Sequence, residues 1–289
     1  MLRLLALALV CCLLLPATAL GDALAQRTYD VTGLSVVRRY DSPTLKYTVE
    51  SFKVGPNRAS TYVTKIWMEN PGRQIVKANC DWGKALADPL EMAKRLDGAA
   101  LVINGSGFVS PVFPEIPDEY PGSSPDYYYT SLGSLAVTDS EVLRCLEGVP
   151  YYGLTLQEDG LHIHVGDDPA QVLRYLPSQT WSFYEGCPMV VDHVSVLDRE
   201  WDFAARRAIR NMICKVDDNN YVLLMTFNMN GLTLMDAVDW LMASFDPEWI
   251  YNLDGGPSAT LMCRKRGNKG FKVMTGGTVH VADVMGFTE

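Results

Sequence analysis

The alternation of apolar and polar residues predicts a chain in which strands outnumber helices. Period-two alternation with β-branched and aromatic residues predicts strands at residues 29–37, 47–54 and 62–67. A wholly apolar run at residues 99–103 is typical of a buried strand. The same reasoning predicts later strands at residues 153–156, 161–165, 212–216, 221–226, 249–253, 260–264 and 279–285.

The helices are predicted from their first residues. Asp88 and Asp168 each precede a proline and are placed to cap a helix, which predicts helices at residues 88–96 and 168–176. Thr233, with an acidic residue three positions later, opens an amphipathic helix that runs to residue 244. The strands neither alternate strictly with helices nor all pair as hairpins. The pattern therefore predicts an α+β fold, with mixed β-sheets and a few packed helices in a single main domain.

The N-terminus has the features of a signal peptide at residues 1–25. Arg3 provides a positive charge, residues 4–15 are apolar, and small residues follow at Ala17 and Ala19, then at Ala23 and Ala25. The alternative is an uncleaved N-terminal anchor. We therefore expect a secreted or extracytoplasmic protein whose domain is residues 26–289, in contact with a membrane only through its N-terminus if that segment is uncleaved.

The composition excludes some partners. The net charge is −9, which argues against nucleic-acid binding because phosphate contacts need clustered Lys and Arg. Residues 26–289 contain five cysteines, and an odd number leaves at least one thiol free or bonded to another chain. Several buried, reduced cysteines fit the sequence equally well. No Cys and His spacing predicts a zinc site.

The most informative segment is residues 251–261, Tyr-Asn-Leu-Asp-Gly-Gly-Pro-Ser-Ala-Thr-Leu. An apolar strand ends at Asp254, and Gly255 and Gly256 allow the backbone to approach a ligand closely. Backbone amides in such a turn can bind an anion, and the Ser258 hydroxyl follows at once. Taken alone, the segment is also consistent with an ordinary Asp-Gly turn.

The segment resembles the Asn-Leu-Asp-Gly-Gly-Gly-Ser signature of the phosphodiester glycosidase family. Other segments resemble that family in the same order: Val102-Ile103-Asn104-Gly105, residues 183–192, the stretch containing Arg206, and Gly231-Leu232-Thr233-Leu234 before an apolar helix. The resemblance covers residues 99–289, about two thirds of the chain. Each segment is weakly specific, and the series together is strongly specific.

The resemblance implies hydrolysis of a sugar from a sugar–phosphate diester. It implies Asp254 as base or nucleophile, Arg206 as the cation that holds the phosphate, and Asn104 and Ser258 as polar groups that orient the sugar. A sugar phosphate or an envelope polysaccharide is then the expected substrate. No cofactor is demanded, although a divalent cation would be compatible with carboxylates near a phosphate. Further binding candidates by resemblance are Gly105, Gly255 and Gly256, with Asp192 and Glu185 as reserve carboxylates.

Several departures from the family pattern keep a second interpretation open. Pro257 replaces the third glycine of the signature, Arg207 stands where Thr is expected, and Arg210 stands near an expected Gly. Ser106 splits the Asn-Gly-Gly-Phe segment, and His193 replaces a glycine. A catalytically silent domain that binds a phosphosugar or wall polymer would also have this sequence. A cleft blocked by Arg207, Arg210 or Pro257 would favour that alternative.

Two other features are weaker candidates. His162 and His164 lie on one face of a predicted strand, where a solvated strand edge is far more common than a metal site. Tyr120 and residues 127–129 belong to a long loop that could stack on a sugar ring or pack against the surface.

Overall fold

A computed structural model describes residues 31–54, 58–108, 128–183, 187–227, 231–267 and 270–289. The predicted signal peptide, most of the loop that contains Tyr120, and the reserve carboxylate Glu185 lie outside the described residues. None of the helices in the described ranges is long and apolar enough to cross a membrane.

The described chain is built mainly from strands. In chain order they are β1 (Thr32–Asp41), β2 (Leu45–Val54), β3 (Ala59–Met68), β4 (Ile75–Asn79), β5 (Ala99–Asn104), β6 (Leu135–Thr138), β7 (Glu141–Cys145), β8 (Tyr151–Gln157), β9 (Gly160–Asp167), β10 (Gln179–Ser182), β11 (Pro188–Val191), β12 (Val194–Ser195), β13 (Asn211–Lys215), β14 (Asn220–Thr226), β15 (Trp249–Leu253), β16 (Leu261–Arg264), β17 (Phe271–Thr275) and β18 (Asp283–Thr288).

The helices are few and short, as the α+β prediction requires. They are α1 (Pro71–Gln74), α2 (Pro89–Arg95), α3 (Pro169–Val172), α4 (Asp202–Ala205) and α5 (Leu234–Phe245). The predicted caps are present: the Asp88 carboxylate accepts from the N–H groups of Leu90 and Glu91, and the Thr233 hydroxyl accepts from Asp236 N at 2.9 Å. The helix predicted at residues 168–176 is shorter, because a 3₁₀ turn at Leu173–Tyr175 follows α3.

Two large sheets carry the fold. The first has eight strands in the order β1-β2-β3-β14-β13-β15-β11-β12, and the second has five in the order β17-β16-β5-β18-β4. A three-stranded sheet (β10-β8-β9) and a two-stranded sheet (β6-β7) complete the described part of the chain. Every strand pairing among the described residues is antiparallel, whereas the sequence predicted mixed sheets.

One large hydrophobic core joins the two large sheets. It includes Val63 and Ile250 of the first sheet together with Leu101 and Phe287 of the second. All six residues of β5 are buried, as the wholly apolar run predicted. The strand predicted at residues 279–285 instead begins at Asp283, because its register is set by pairing with β4 and β5 rather than by local alternation. The five cysteines of residues 26–289 are free thiols, and four of them are buried.

Candidate active site

The two large sheets meet at Asp254. Strand β15 of the first sheet ends at Leu253, and β5 of the second ends at Asn104. The Asp254 N–H donates to Gly105 O at 3.1 Å, and the Asn104 amide Nδ2 donates to Asp254 O at 2.8 Å. The backbone of the predicted catalytic aspartate is therefore fixed by the end of a strand from the other sheet.

The side-chain amide of Asn104 makes its hydrogen bonds within this junction. Its Oδ1 accepts from Thr260 N at 2.9 Å and from Asn211 Nδ2 at 3.0 Å, and its side chain is fully buried. Asn211 also donates to Asp254 O at 3.3 Å. Asn104 is absent from the lining of the pocket beside Asp254. Asn104 thus lies behind Asp254 and holds its backbone, and the contact with a sugar that the resemblance implied for Asn104 stays a prediction.

The turn after Asp254 needs its glycines. A Cβ on Gly255 would lie 2.4 Å from Ile209 O, and Gly256 has a φ of +55°, which favours glycine. The Gly256 N–H donates to Ile209 O at 2.9 Å. Pro257 is accommodated because it is the second residue of a 3₁₀ turn at Gly256–Ser258, where its fixed φ is suitable. A proline is therefore compatible with this turn at the position of the third glycine of the family signature.

This turn forms one wall of an open pocket of about 350 Å³. Of the residues predicted for the site, Asp254, Arg206 and Ser258 line it together with Gly255 and Gly256. The remaining lining residues are Phe108, Phe183, Phe203, Ala208, Ile209, Arg210, Asn252, Pro257 and Val279. The pocket therefore combines one carboxylate and two guanidinium groups with a largely apolar wall.

Asp254 has an unusual acidity for a carboxyl group. Burial raises its pKa to about 7, although hydrogen bonds from the Ser258 side chain and the Gly255 backbone act in the opposite direction. The negative charge of Asp283 adds to the increase. A group that titrates near neutral pH is suited to proton transfer, and such groups are common at active sites.

The three arginines of this region have different surroundings. Arg206 is exposed at the rim of the pocket, and its guanidinium has no ion pair or hydrogen bond among the residues that the structure describes. Arg207 is outside the pocket lining and lies 3.7 Å from the carboxylate of Asp236. Arg210 is only 2% exposed and lines the pocket. Neither Arg207 nor Pro257 closes the pocket, which remains open in their presence.

The apolar wall is aromatic. Phe183 and Phe203 meet edge to face with ring centroids 6.5 Å apart, and Phe203 packs against Trp201 at 4.8 Å. Phe108 completes this wall from the chain that follows β5. Aromatic faces of this kind are suited to the C–H faces of a sugar ring. These residues could not be predicted from local sequence patterns, because their contacts join segments that are far apart in the chain.

Asn252 is a further residue that the sequence analysis did not select. It is 1% exposed and lines the pocket two residues before Asp254. Its Oδ1 has no hydrogen-bond partner within the described ranges, while its Nδ2 lies 3.8 Å from Cys187 Sγ. An unsatisfied buried acceptor is costly, so a donor from a ligand would stabilise it. The signal was available in the sequence, since an alternating strand that points Asp254 at a ligand also points residue 252 the same way.

The other sequence candidates lie elsewhere. Asp192 and His193 form the two-residue turn between β11 and β12, with φ values of 49° and 63°, and Asp192 is exposed and outside the pocket lining. Gly105 has a packing reason for being glycine, because a Cβ there would lie 2.2 Å from Asp283 Oδ1 and 2.5 Å from Trp181.

The two histidines of β9 also have local partners. His164 Nδ1 lies 2.6 Å from Asp167 and its Nε2 3.0 Å from Thr155, while His162 pairs with Asp159. Within the described residues no group of three His, Cys, Asp or Glu side chains could hold a metal ion. The positions of both histidines are therefore explained by hydrogen bonds to side chains of the β8–β9 hairpin itself.

Comparison with known proteins now identifies the family. The sequence profile of the phosphodiester glycosidase family matches residues 97–288, about two thirds of the chain. The chain belongs to the phosphodiester glycosidase family. Its Asp254 turn, pocket and two large sheets all lie within or pack against the matched range. The resemblance inferred from the short motifs is thus confirmed.

Solved structures share the fold at low identity. One is the catalytic domain of zebrafish N-acetylglucosamine-1-phosphodiester alpha-N-acetylglucosaminidase, auto-inhibited by its pro-peptide: 14% identity, a TM-score of 0.63, and coverage of 91% of this chain and 88% of that one. A second is a hypothetical protein from Synechocystis, with 12% identity, a TM-score of 0.51, and coverage of 91% and 68%. No curated protein sequence matches significantly. The similarity confirms the α+β fold of the phosphodiester glycosidase family.

Proposed function

We propose that this phosphodiester glycosidase family member hydrolyses sugar–phosphate diesters and releases the sugar, acting outside the cytoplasm on a sugar phosphate or an envelope polysaccharide. The observation that carries the proposal is the presence of Asp254 and Arg206 in the lining of one open pocket. The pocket supplies the two groups that the reaction needs, a carboxylate that titrates near neutrality and a cation.

The chemistry requires little acid catalysis. A phosphomonoester is a better leaving group than the alkoxide of a sugar hydroxyl, so the bond from the anomeric carbon to the phosphate oxygen breaks with its electron pair on the phosphate oxygen. Asp254 acts as the base that removes a proton from the attacking water, or as the nucleophile that attacks the anomeric carbon. In the second case water then cleaves the glycosyl–aspartate ester, which releases the sugar and restores the carboxylate. Arg206 holds the phosphate and stabilises the charge it gains. Ser258 and the backbone of Gly255 orient the carboxylate.

Release of free sugar tests the proposal directly. Residues 26–289 would be incubated with a panel of nucleotide-sugars and alkyl sugar phosphates, and free sugar and phosphomonoester would be quantified. The two products are expected in equal amounts. Turnover of at least one diester supports the enzyme. Saturable binding of the same compounds without turnover would contradict the proposed hydrolysis and favour a catalytically silent binding domain.

The rate should depend on pH through Asp254. Both proposed roles need the ionised carboxylate, so kcat/KM should rise with pH and level off above a midpoint near pH 7. An ordinary exposed carboxylate would give a midpoint about three units lower. Initial rates between pH 4 and 9 at constant ionic strength measure this profile. A rate that falls as pH rises through 7 would make Asp254 an acid and contradict its proposed role.

The adjacent arginines provide a matched pair of variants. Arg206→Ala should raise KM for a diester about tenfold or more, because a charge-assisted contact to phosphate is removed. Arg207→Ala should leave KM within about twofold, since Arg207 pairs with Asp236 at the surface and does not line the pocket. Steady-state kinetics of both variants would settle this, and equal effects would assign the phosphate to neither arginine.

A further inference from the structure

Arg210 is a buried cation without a counter-ion. It is 2% exposed, and no carboxylate pairs with it among the residues that the structure describes. Its Nε donates to Leu232 O at 3.1 Å, and its Nη2 donates to Phe203 O at 2.9 Å and to Arg206 O. The guanidinium also lies over the Phe203 ring, 4.6 Å from the centroid. These neutral partners satisfy its donors in part and leave its charge uncompensated.

The charge remains at neutral pH. The pKa of Arg210 is lowered to about 10, mainly by burial and also by the nearby charge of Arg206, while Cys187 acts in the opposite direction. A buried charge is costly unless an opposite charge approaches it. Two like charges that line the same pocket increase this cost. An anion that enters the pocket reduces both the cost of the buried charge and the repulsion between the two arginines.

Nη1 is the nitrogen left for such an anion. The hydrogen bonds of Arg210 within the described ranges use Nε and Nη2, and the residue lines the same pocket as Arg206 and Asp254. The bond from Nη2 to Arg206 O also fixes the backbone from which the Arg206 side chain extends. Arg210 is thereby linked to the main chain of Arg206, while the Arg206 guanidinium stays exposed at the same pocket.

We propose that Arg206 and Arg210 together form a two-arginine anion site that prefers a phosphate dianion to a monoanion. The inference rests on the proposed function in identifying the ligand: the diester substrate has one negative charge and the phosphomonoester product has up to two. The product then binds more tightly than the substrate, so phosphomonoesters and inorganic phosphate are competitive inhibitors.

Methyl phosphate and dimethyl phosphate test the charge preference, because they are similar in size and differ in charge. At pH 7.5 calorimetry on residues 26–289 should give at least about tenfold tighter binding for methyl phosphate. Arg210→Met should reduce that ratio to about twofold or less, whereas Arg207→Met should retain it. Equal affinity of the wild-type protein for the two ligands would overturn the proposal.

A second measurement covers the case in which Arg210→Met does not fold. With ¹⁵N-arginine labelling of the wild-type protein, methyl phosphate should shift the guanidinium signals of two arginines, assigned with Arg210→Lys and Arg206→Lys. A shift of the Arg206 signal alone would refute the role of Arg210. Neither measurement depends on turnover, so a dianion preference without hydrolysis would refute the proposed function and leave this inference standing.

Discussion

Replacing Asp254 with asparagine is expected to reduce kcat for sugar release by about 10³-fold. The substitution keeps the volume of the side chain and its position at the end of β15, but an amide neither accepts a proton nor attacks an anomeric carbon at a useful rate. The hydrogen bonds that hold the backbone of residue 254, from Asn104 and Asn211, do not involve the carboxylate. Single-turnover and steady-state rates on a diester that the wild type cleaves are the measurement.

Asp246→Asn is the matched control. Asp246 is exposed, ends α5 in a left-handed conformation that asparagine tolerates, and is outside the pocket lining. Its rate should stay within about twofold of wild type, because exposed substitutions away from special features have small effects. An Asp254→Asn rate within tenfold of wild type would remove Asp254 from the mechanism.

Stability measurements on the same variant exclude unfolding as the cause. A carboxyl whose pKa is raised from 3.8 to about 7 binds its proton more tightly in the folded state than in the unfolded state. The free energy of unfolding of the wild type therefore falls as pH rises between about 4 and 7. Asp254→Asn removes this loss, so it should be more stable than wild type by about 2 kcal/mol above pH 7 and equally stable near pH 4.

The sequence predicted what depends on neighbouring residues. The caps at Asp88 and Thr233 are local interactions over two or three residues, and both are present. The buried strand that ends at Asp254 followed from a short apolar run and its turn. Some of the residues that line the pocket with Asp254, such as Arg206, were predicted from the resemblance to the family.

What the sequence could not predict depends on distant pairings. The side chain of Asn104 is saturated by Asn211 and Thr260, which lie 107 and 156 positions away, so its role behind the site becomes visible only in three dimensions. From the sequence, Arg210 was a residue that could block the cleft. In the structure its hydrogen bonds to Leu232 O and Phe203 O hold the side chain in the lining of the pocket, which stays open.

A buried ion pair behind the site connects its stability to its chemistry. Lys77 of β4 and Asp283 of β18 lie 3.3 Å apart with both side chains fully buried. Lys77 also donates to Thr180 O at 2.6 Å and lies 5.4 Å from the centre of the Trp181 ring, while Asp283 Oδ1 accepts from Ser106 N at 2.8 Å. Asp283 therefore holds the segment that follows Asn104, and its charge acts on Asp254.

Lys77→Met is expected to lower the free energy of unfolding by about 3–5 kcal/mol, because it leaves Asp283 as an uncompensated buried charge. The double variant Lys77→Met with Asp283→Asn should recover most of that loss, since the unpaired charge is then gone. Denaturant unfolding of the wild type, both single variants and the double variant measures the coupling. The same loss in Lys77→Met and in the double variant would show that the lysine acts through packing on Trp181 alone.

The same variants should also change the pH profile of activity. In Lys77→Met the unscreened charge of Asp283 should raise the pKa of Asp254, so the midpoint of the profile should move above pH 7. In the double variant the midpoint should move below that of the wild type, because the charge of Asp283 is absent. A midpoint unchanged in both variants would show that the charge of Asp283 does not raise the pKa of Asp254.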